Sequence, residues 1–129
     1  MVRRIVSVVY LITGFVIALG ALGHGSNDRL LVAEFAKYPA HDAQLLSVIH
    51  AVWYFVSGCM LVFGAIVAWT WSRWRHGARD LFLPSDLIGL LYVISGIAMI
   101  MYTGKPFFSI FVVLGASLLL TAQLMRRAS

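Results

Sequence analysis

Histidines and carboxylates in the first half of the chain carry most of the chemistry that this sequence offers. His24, His41 and His50 are accompanied by Asp28 and Glu34. Imidazole and carboxylate groups are ligands for Zn²⁺ and Cu²⁺, so a divalent metal site is one hypothesis. No His-x-x-x-His or His-x-x-Glu-His pattern places two ligands on one helix. A metal site formed by these five residues would therefore depend on tertiary contacts.

Two of these histidines also suit an organic cofactor. Paired imidazoles from two helices, here His24 and His50, can hold a noncovalent haem b, whereas the Cys-x-x-Cys-His pattern of covalent haem is absent. If Arg4 and Trp69 both mark the inner membrane interface, helix rise places His24 and His50 at about 30 Å and about 29 Å from it and predicts equal depth. A quinone headgroup is a third candidate ligand, because either imidazole can hydrogen-bond to it and Trp53 and Tyr54 follow His50 by one helical turn. The structural alternative is that each imidazole bonds a backbone carbonyl, a lipid headgroup or water.

The other reactive side chains favour structural roles. Cys59 has no disulfide partner and no nearby charge to make it a thiolate, so we expect it to be a packing residue. Hydroxyls within apolar segments are expected to bond their own backbone or a neighbouring helix; they belong to Tyr10, Thr13, Ser57, Tyr92, Ser95 and Ser117. Met60, Met99 and Met101 are expected in packing, with a Cu(I) path as the alternative. No phosphate-binding glycine loop or nucleophile set is present, which disfavours an enzyme.

The segments that must position these side chains have a composition suited to a lipid bilayer. Apolar residue types make up 61% of the 129 residues and charged types 12%, about half the charged share of a soluble domain. Four stretches carry no charge: Ile5 to Leu22, Leu45 to Trp71, Leu87 to Gly104 and Phe107 to Met125. Each is long enough for a helix to cross a bilayer, which takes about 20 residues (range about 17 to 25). The sequence thus predicts four transmembrane helices in one domain, 1–129.

The positions of the basic residues explain the net charge of +5 by membrane topology rather than by nucleic-acid binding. Seven arginines flank the spans on one predicted side: Arg3, Arg4, Arg73, Arg75, Arg79, Arg126 and Arg127. Only Arg29, Lys37 and Lys105 fall on the other side, mixed with acidic residues. The positive-inside rule places both termini in the cytoplasm of a bacterial cell, with anionic lipid as a partner of the basic ends.

The segments between the spans contain start and stop signals. Ser26-Asn27-Asp28 predicts the beginning of a short amphipathic helix over Arg29 to Tyr38, stopped by Pro39 and lying along the outer surface. Asp42 is expected to cap the second span, and Ser85 the third, where Asp86 would favour the positive helix end. Ala21-Leu22-Gly23 resembles a signal-peptide cleavage site, but the apolar run before it is longer than a typical signal core, so we expect a retained span.

The third and fourth spans are joined by so few residues that they must form an antiparallel hairpin. Tyr10-Leu11-Ile12-Thr13-Gly14 is echoed by Tyr92-Val93-Ile94-Ser95-Gly96, which is consistent with two parallel hairpins. The predicted fold is an all-α, four-transmembrane-helix bundle of two αα hairpins with a short interfacial helix.

Function is less constrained than fold. No Asp, Glu, Lys or Arg lies within a span, which argues against a proton-coupled transporter. The leading hypothesis is a non-catalytic accessory subunit of a larger membrane complex or a small homo-oligomer. The alternatives are a haem-, quinone- or metal-binding redox protein that uses His24 and His50, and a small transporter of a neutral solute.

Overall fold

The computed structural model describes residues 2–37, 43–78 and 81–127, and nearly all of them are helical. The elements are α1 (Val2–Ser26), α2 (Asp28–Phe35), α3 (Ala43–Arg75), α4 (Leu83–Thr103), a 3₁₀ turn (Pro106–Phe108) and α5 (Ser109–Arg127). α1, α3, α4 and α5 are each long and apolar enough to span a membrane. The predicted all-α bundle of four membrane-spanning helices is confirmed.

The four long helices form two antiparallel hairpins that pack side by side. α1 packs along α3, and α4 packs along α5. The hairpins meet through α1 against α5 and, over a smaller area, through α3 against α4. We call the end with the chain termini and the α3–α4 connection the termini end, and the end with α2 and the 3₁₀ turn the α2 end.

Glycines bring the two helices of each hairpin into close contact. A Cβ on Gly64 of α3 would lie 2.6 Å from the carbonyl oxygen of Gly14 and 2.5 Å from Cβ of Ala18, both on α1. In the second hairpin, a Cβ on Gly115 would lie 2.5 Å from the carbonyl oxygen of Gly89. Membrane helices are not driven together by the hydrophobic effect, so close backbone approach at small residues supplies much of their attraction.

The bundle has a narrow interior and a wide apolar surface. Tyr10, Ile17, Val67 and Leu118 are all fully buried, whereas large apolar side chains such as Phe55 are mostly exposed. Such a surface would be unstable in water but is suited to hydrocarbon. The long helices therefore have the surface of a multi-pass membrane protein.

α2 lies where the sequence predicts a short helix, but it ends earlier. It begins at Asp28 after the N-cap Asn27, whose side chain makes no capping hydrogen bond, and it ends at Phe35. The hydroxyl of Tyr54 on α3 donates to Oδ2 of Asp28 at 2.8 Å and fastens the start of α2. Predictions for Tyr38, Pro39, His41, Asp42 and Arg79 lie outside the described residues.

An ion pair joins the polar face of α2 to the residues that directly follow it. Nζ of Lys37 donates to Oε2 of Glu34 at 2.6 Å. This hydrogen bond, together with the positive charge, holds the pKa of Glu34 below its ordinary value. Leu31 and Phe35 lie on the opposite, partly buried face, as the amphipathic pattern predicts.

The prediction that Ser85 caps the third span is wrong. α4 begins two residues earlier, at Leu83, with Phe82 at the N-cap. Pro84 then occupies the first turn, where its missing N–H leaves no helical bond unmade. Ser85 is fully buried, and its hydroxyl is hydrogen-bonded to the hydroxyl of Tyr10 on α1.

Asp86 lies in the first turn of α4 as predicted, and it has a second role. Its carboxylate forms a partly buried ion pair with Arg126 near the end of α5. The Arg126 guanidinium also lies 5.4 Å from the ring centre of Phe82. These contacts fasten the second hairpin at the termini end.

Candidate functional site

His24 lies at the α2 end of α1 and contacts α3 through its ring and its backbone. Nδ1 lies 2.9 Å from Oγ of Ser57, and the imidazole stacks on the Trp53 indole with ring centres 3.8 Å apart and planes 21° apart. The Trp53 Nε1–H donates to the His24 carbonyl at 2.7 Å. Because the Ser57 hydroxyl donates to the Trp53 carbonyl, Nδ1 of His24 carries a proton and donates to Ser57. In the neutral imidazole, Nε2 is then an acceptor.

His50 lies closer to the α2 end than His24 does, although helix rise from the sequence predicted equal depth. The α3 partners of His24 are Trp53 and Ser57, which follow His50 by about 4.5 and 10 Å of helix rise. The predicted depth took Trp69 as level with Arg4, whereas the structure places neighbouring Arg3 over Trp74. The close contact between Gly14 and Gly64 sets the register of α3 against α1. In this register Arg4 and Trp69 are not level, so His24 and His50 are not level either.

His50 and the two predicted acidic ligands, Asp28 and Glu34, do not form a group of metal ligands in the described structure. Nε2 of His50 is buried without a hydrogen-bond partner among the described residues, and its ring lies 6.4 Å from that of Tyr54. Asp28 is paired with Tyr54, and Glu34 with Lys37. Within the described ranges, no three His, Cys, Asp or Glu side chains form a group that could hold a metal ion. The metal site, for which His41 was also proposed, stays a prediction.

A large cavity opens beside His24 in the half of the bundle nearer the α2 end. Its volume is about 670 Å³, within the size range of small-molecule sites. It lies mainly between α3 and α4, with the 3₁₀ turn and α5 at its far wall. The lining residues are His24, Trp53, Val56, Cys59, Met60, Phe63, Leu91, Tyr92, Ser95, Met99, Phe107, Phe108 and Phe111. None of these lining residues is Asp, Glu, Lys or Arg, and His24 is the titratable imidazole among them.

Aromatic rings form a continuous wall along one side of this cavity. Phe63 and Tyr92 lie edge to face at 6.4 Å, and Tyr92 lies 5.6 Å from Phe111. Phe111 stacks with Phe108 at 6.2 Å, and Phe108 contacts Phe107 at 5.7 Å. Such a wall suits a planar ring, since offset and edge-to-face contacts between π systems are favourable.

The wall contains one hydrogen-bonding group without a partner. The Tyr92 side chain is 5% exposed, and its hydroxyl oxygen is buried without a hydrogen-bond partner among the described residues. Leaving a buried hydroxyl unpaired costs about 1–3 kcal/mol. Tyr10, which opens the similar five-residue segment of α1, is bonded to Ser85 instead. Tyr92 therefore combines a place in the cavity lining with a buried hydroxyl that has no described partner.

The cavity borders the lipid-facing surface of the bundle. Leu91 and Met99 of α4 line it and are also exposed, as is Phe107 of the 3₁₀ turn. α3 and α4 touch over the smallest area among the neighbouring long helices. A molecule dissolved in the bilayer would thus have a lateral route between α3 and α4.

The hydroxyl-bearing residues behave largely as predicted for membrane helices. Oγ1 of Thr13 bonds the Val9 carbonyl at 2.9 Å and Oγ of Ser117 on α5 at 3.0 Å. Ser57 likewise bonds its own backbone and His24. These bonds join α1 to α5 and to α3.

The structure brings together only part of the predicted ligand set. His24 and Trp53 line the cavity, but His50 and Tyr54 are not among its lining residues. The sequence analysis expects Tyr92, Ser95 and Met99 in packing or in helix contacts, and the ligand considered there is Cu(I), for Met99. Their spacing of three and four residues, which puts them on one face of α4, was the available signal.

The chain matches no protein-family model, no curated protein and no solved structure.

Proposed function

We propose that this protein binds a lipid-soluble ring compound that carries a carbonyl group, of the isoprenoid quinone class, in the cavity between α3 and α4. The observation that carries the proposal is the buried, unpartnered hydroxyl of Tyr92, a residue that lines this largely apolar cavity. Buried polar atoms without partners are rare in native proteins, and a bound ligand is one explanation for them. The Tyr92 O–H would donate to a ligand carbonyl.

Shape and surroundings narrow the ligand class further. The wall formed by Phe63, Tyr92, Phe111 and Phe108 would stack against a planar headgroup. The lateral opening would let an apolar tail remain in lipid, as an isoprenoid chain requires. An ionic ligand is disfavoured because no Asp, Glu, Lys or Arg is among the cavity-lining residues in the described part of the chain.

His24 supplies a second polar group at the edge of the cavity. With Nδ1 protonated and turned to Ser57, Nε2 is an acceptor, and it has no hydrogen-bond partner among the described residues. A hydroxyl of a reduced, quinol-type ligand would donate to it. Oxidised and reduced ligands would therefore use Tyr92 and His24 to different extents.

The test is titration of the purified protein with a benzoquinone that carries a short alkyl tail, followed by quenching of tryptophan fluorescence. Trp53 is the only tryptophan that lines the cavity, so Trp53→Phe should remove the saturable part of the quenching. Tyr92→Phe should weaken binding about fivefold, the equivalent of one neutral hydrogen bond. Ser95→Phe should block the cavity.

A matched control separates site occupancy from partitioning into detergent. Ile94→Phe adds the same ring at the adjacent position of α4, where the side chain is exposed on the surface, and should leave binding unchanged. Equal, non-saturable quenching in all variants would reject the proposal. Mass spectrometry of an organic extract of the protein would show which ring compound copurifies.

The other functional hypotheses from the sequence stay predictions. A haem bound by His24 and His50 would give an optical band that His24→Ala and His50→Ala remove. An accessory subunit or homo-oligomer would give a native mass above that of one chain after gentle extraction. Uptake into proteoliposomes tests the transporter of a neutral solute.

We also propose that the protein lies in a bacterial cytoplasmic membrane with the termini end on the cytoplasmic side. The support is the concentration of arginines at that end.

A further inference from the structure

A second cavity, of about 510 Å³, lies at the termini end between the start of α1 and the end of α3. Arg3, Arg4 and Arg75 line it together with Trp71 and Trp74. Ser7 and Val8 complete the lining, so none of the described lining residues is acidic. Three positive side chains thus converge on one space at the predicted membrane interface.

Two of the guanidinium groups are held in place by indole rings. Arg3 lies over the Trp74 ring at 5.0 Å and Arg75 over the Trp71 ring at the same distance. The first contact joins α1 to α3, and the second spans one turn of α3. Stacking on an aromatic face orients a guanidinium and leaves its N–H edges free to bind an anion.

None of the three arginines has an anionic partner among the described residues, although each carries several N–H donors. The Trp71 Nε1–H is also buried without a partner in that part of the chain. Arg126, in contrast, is paired with Asp86. The donors at this cavity therefore lack the negative group that Arg126 already has.

We infer that this cavity binds the phosphate of an anionic lipid headgroup, with Arg3, Arg4 and Arg75 as its donors. Guanidinium groups form strong, directional hydrogen bonds with phosphate oxygens. Indole rings are favoured at the depth of the headgroups, so a lipid is the source that fits this position best. The inference is independent of the ligand proposed for the cavity between α3 and α4.

The test compares lipids that differ only in their headgroup. The full-length protein is reconstituted in vesicles of equal parts phosphatidylglycerol and phosphatidylcholine with identical acyl chains, and native mass spectrometry then measures the lipid that stays bound. The wild-type protein should retain phosphatidylglycerol over phosphatidylcholine by about tenfold, because the choline cation, which phosphatidylglycerol lacks, is repelled by the three guanidinium groups around the phosphate. The double variant Arg3→Gln and Arg75→Gln should lose this preference.

The control variant also removes two arginine charges from the termini end, but from outside the cavity. Arg73 and Arg127 are exposed and do not line the cavity, so Arg73→Gln with Arg127→Gln should keep the preference. Equal loss in both double variants would mean a general attraction to anionic surfaces and would overturn the site. If the cavity variant does not fold, Trp71→Phe, which removes only the indole N–H and part of the ring, should still lower the preference a few-fold.

A final arm distinguishes the source of the phosphate. Inorganic phosphate in excess should fail to displace the bound phosphatidylglycerol, because the acyl chains add to its affinity. Displacement by inorganic phosphate, or retention of inorganic phosphate by lipid-depleted protein, would overturn the lipid as the ligand.

Discussion

Two tyrosines that open similar five-residue segments of α1 and α4 differ in one hydrogen bond. Tyr10 and Tyr92 are both buried, at 0% and 5% exposure. The Tyr10 hydroxyl is bonded to Ser85, whereas the Tyr92 hydroxyl lacks a partner within the described residues, and Tyr92 lines the aromatic cavity. The same side chain thus has a structural role in one hairpin and a candidate binding role in the other.

This difference predicts opposite effects of the same substitution. Tyr10→Phe should lower the free energy of unfolding by about 1–2 kcal/mol, because the buried Ser85 hydroxyl loses its partner. Tyr92→Phe, which removes an unsatisfied hydroxyl, should leave the free energy of unfolding unchanged or raise it by up to about 1 kcal/mol. Denaturation of both variants in one detergent checks this. An equal loss at Tyr92 would mean that its hydroxyl is bonded within the protein.

Single elements are positioned by a few close contacts. Gly64 lets α3 approach α1, whereas Gly58 on the same helix has no atom within 4 Å of where its Cβ would be. In an apolar solvent such local differences in packing decide which helix faces meet.

The two glycines of α3 provide a matched pair of variants. Gly64→Ala should lower the free energy of unfolding by about 1–3 kcal/mol, because the added Cβ meets backbone and Cβ atoms of α1 that cannot move aside. Gly58→Ala should be neutral or raise stability by up to about 1 kcal/mol through its higher helix propensity. Thermal unfolding followed by circular dichroism distinguishes them. Similar melting temperatures would show that the α1–α3 approach is looser than described.

α2 depends on few contacts with the long helices. It has no buried residue, and the bond from the Tyr54 hydroxyl to Asp28 is its clearest side-chain attachment to α3. Tyr54→Phe should therefore increase hydrogen exchange of the α2 amides about fivefold, as expected for one lost hydrogen bond. Tyr102→Phe, at a highly exposed position of α4, is the control. Unchanged exchange in Tyr54→Phe would mean that other contacts hold α2.

The whole molecule has different chemistry at its two ends. The termini end carries arginines around a cavity with tryptophans, and the other end carries α2 and the apolar cavity beside His24. The two candidate sites would therefore face opposite leaflets of one membrane.

Orientation in the cell is tested by cysteine labelling in a Cys59→Ser background. Ala36→Cys and His76→Cys each introduce one thiol at an exposed position, at the α2 end and the termini end respectively. A membrane-impermeant maleimide should label Ala36→Cys in intact cells and His76→Cys only after permeabilisation, because the arginine-rich end is retained inside. The reverse pattern would contradict the proposed topology.

Sequence patterns were sufficient for the architecture because lipid imposes strict conditions on length and polarity. A segment such as Leu87 to Gly104 must be helical if it crosses hydrocarbon, since its backbone amides have no other partners there. The short connection through Lys105 then requires an antiparallel hairpin. The four helices and their order follow from these conditions alone.

Only the tertiary structure decided which residues meet inside the bundle. All faces of these helices are largely apolar. Hydrophobic periodicity therefore does not distinguish the face that packs against another helix from the face that contacts lipid. The close approach at Gly14 and Gly64 sets the register that places His24 beside Trp53 and Ser57 and leaves His50 nearer the α2 end. The same kind of local packing leaves the buried Tyr92 hydroxyl without a described partner next to a cavity that Tyr92 lines. Both features depend on the arrangement of all four helices and not on any one segment.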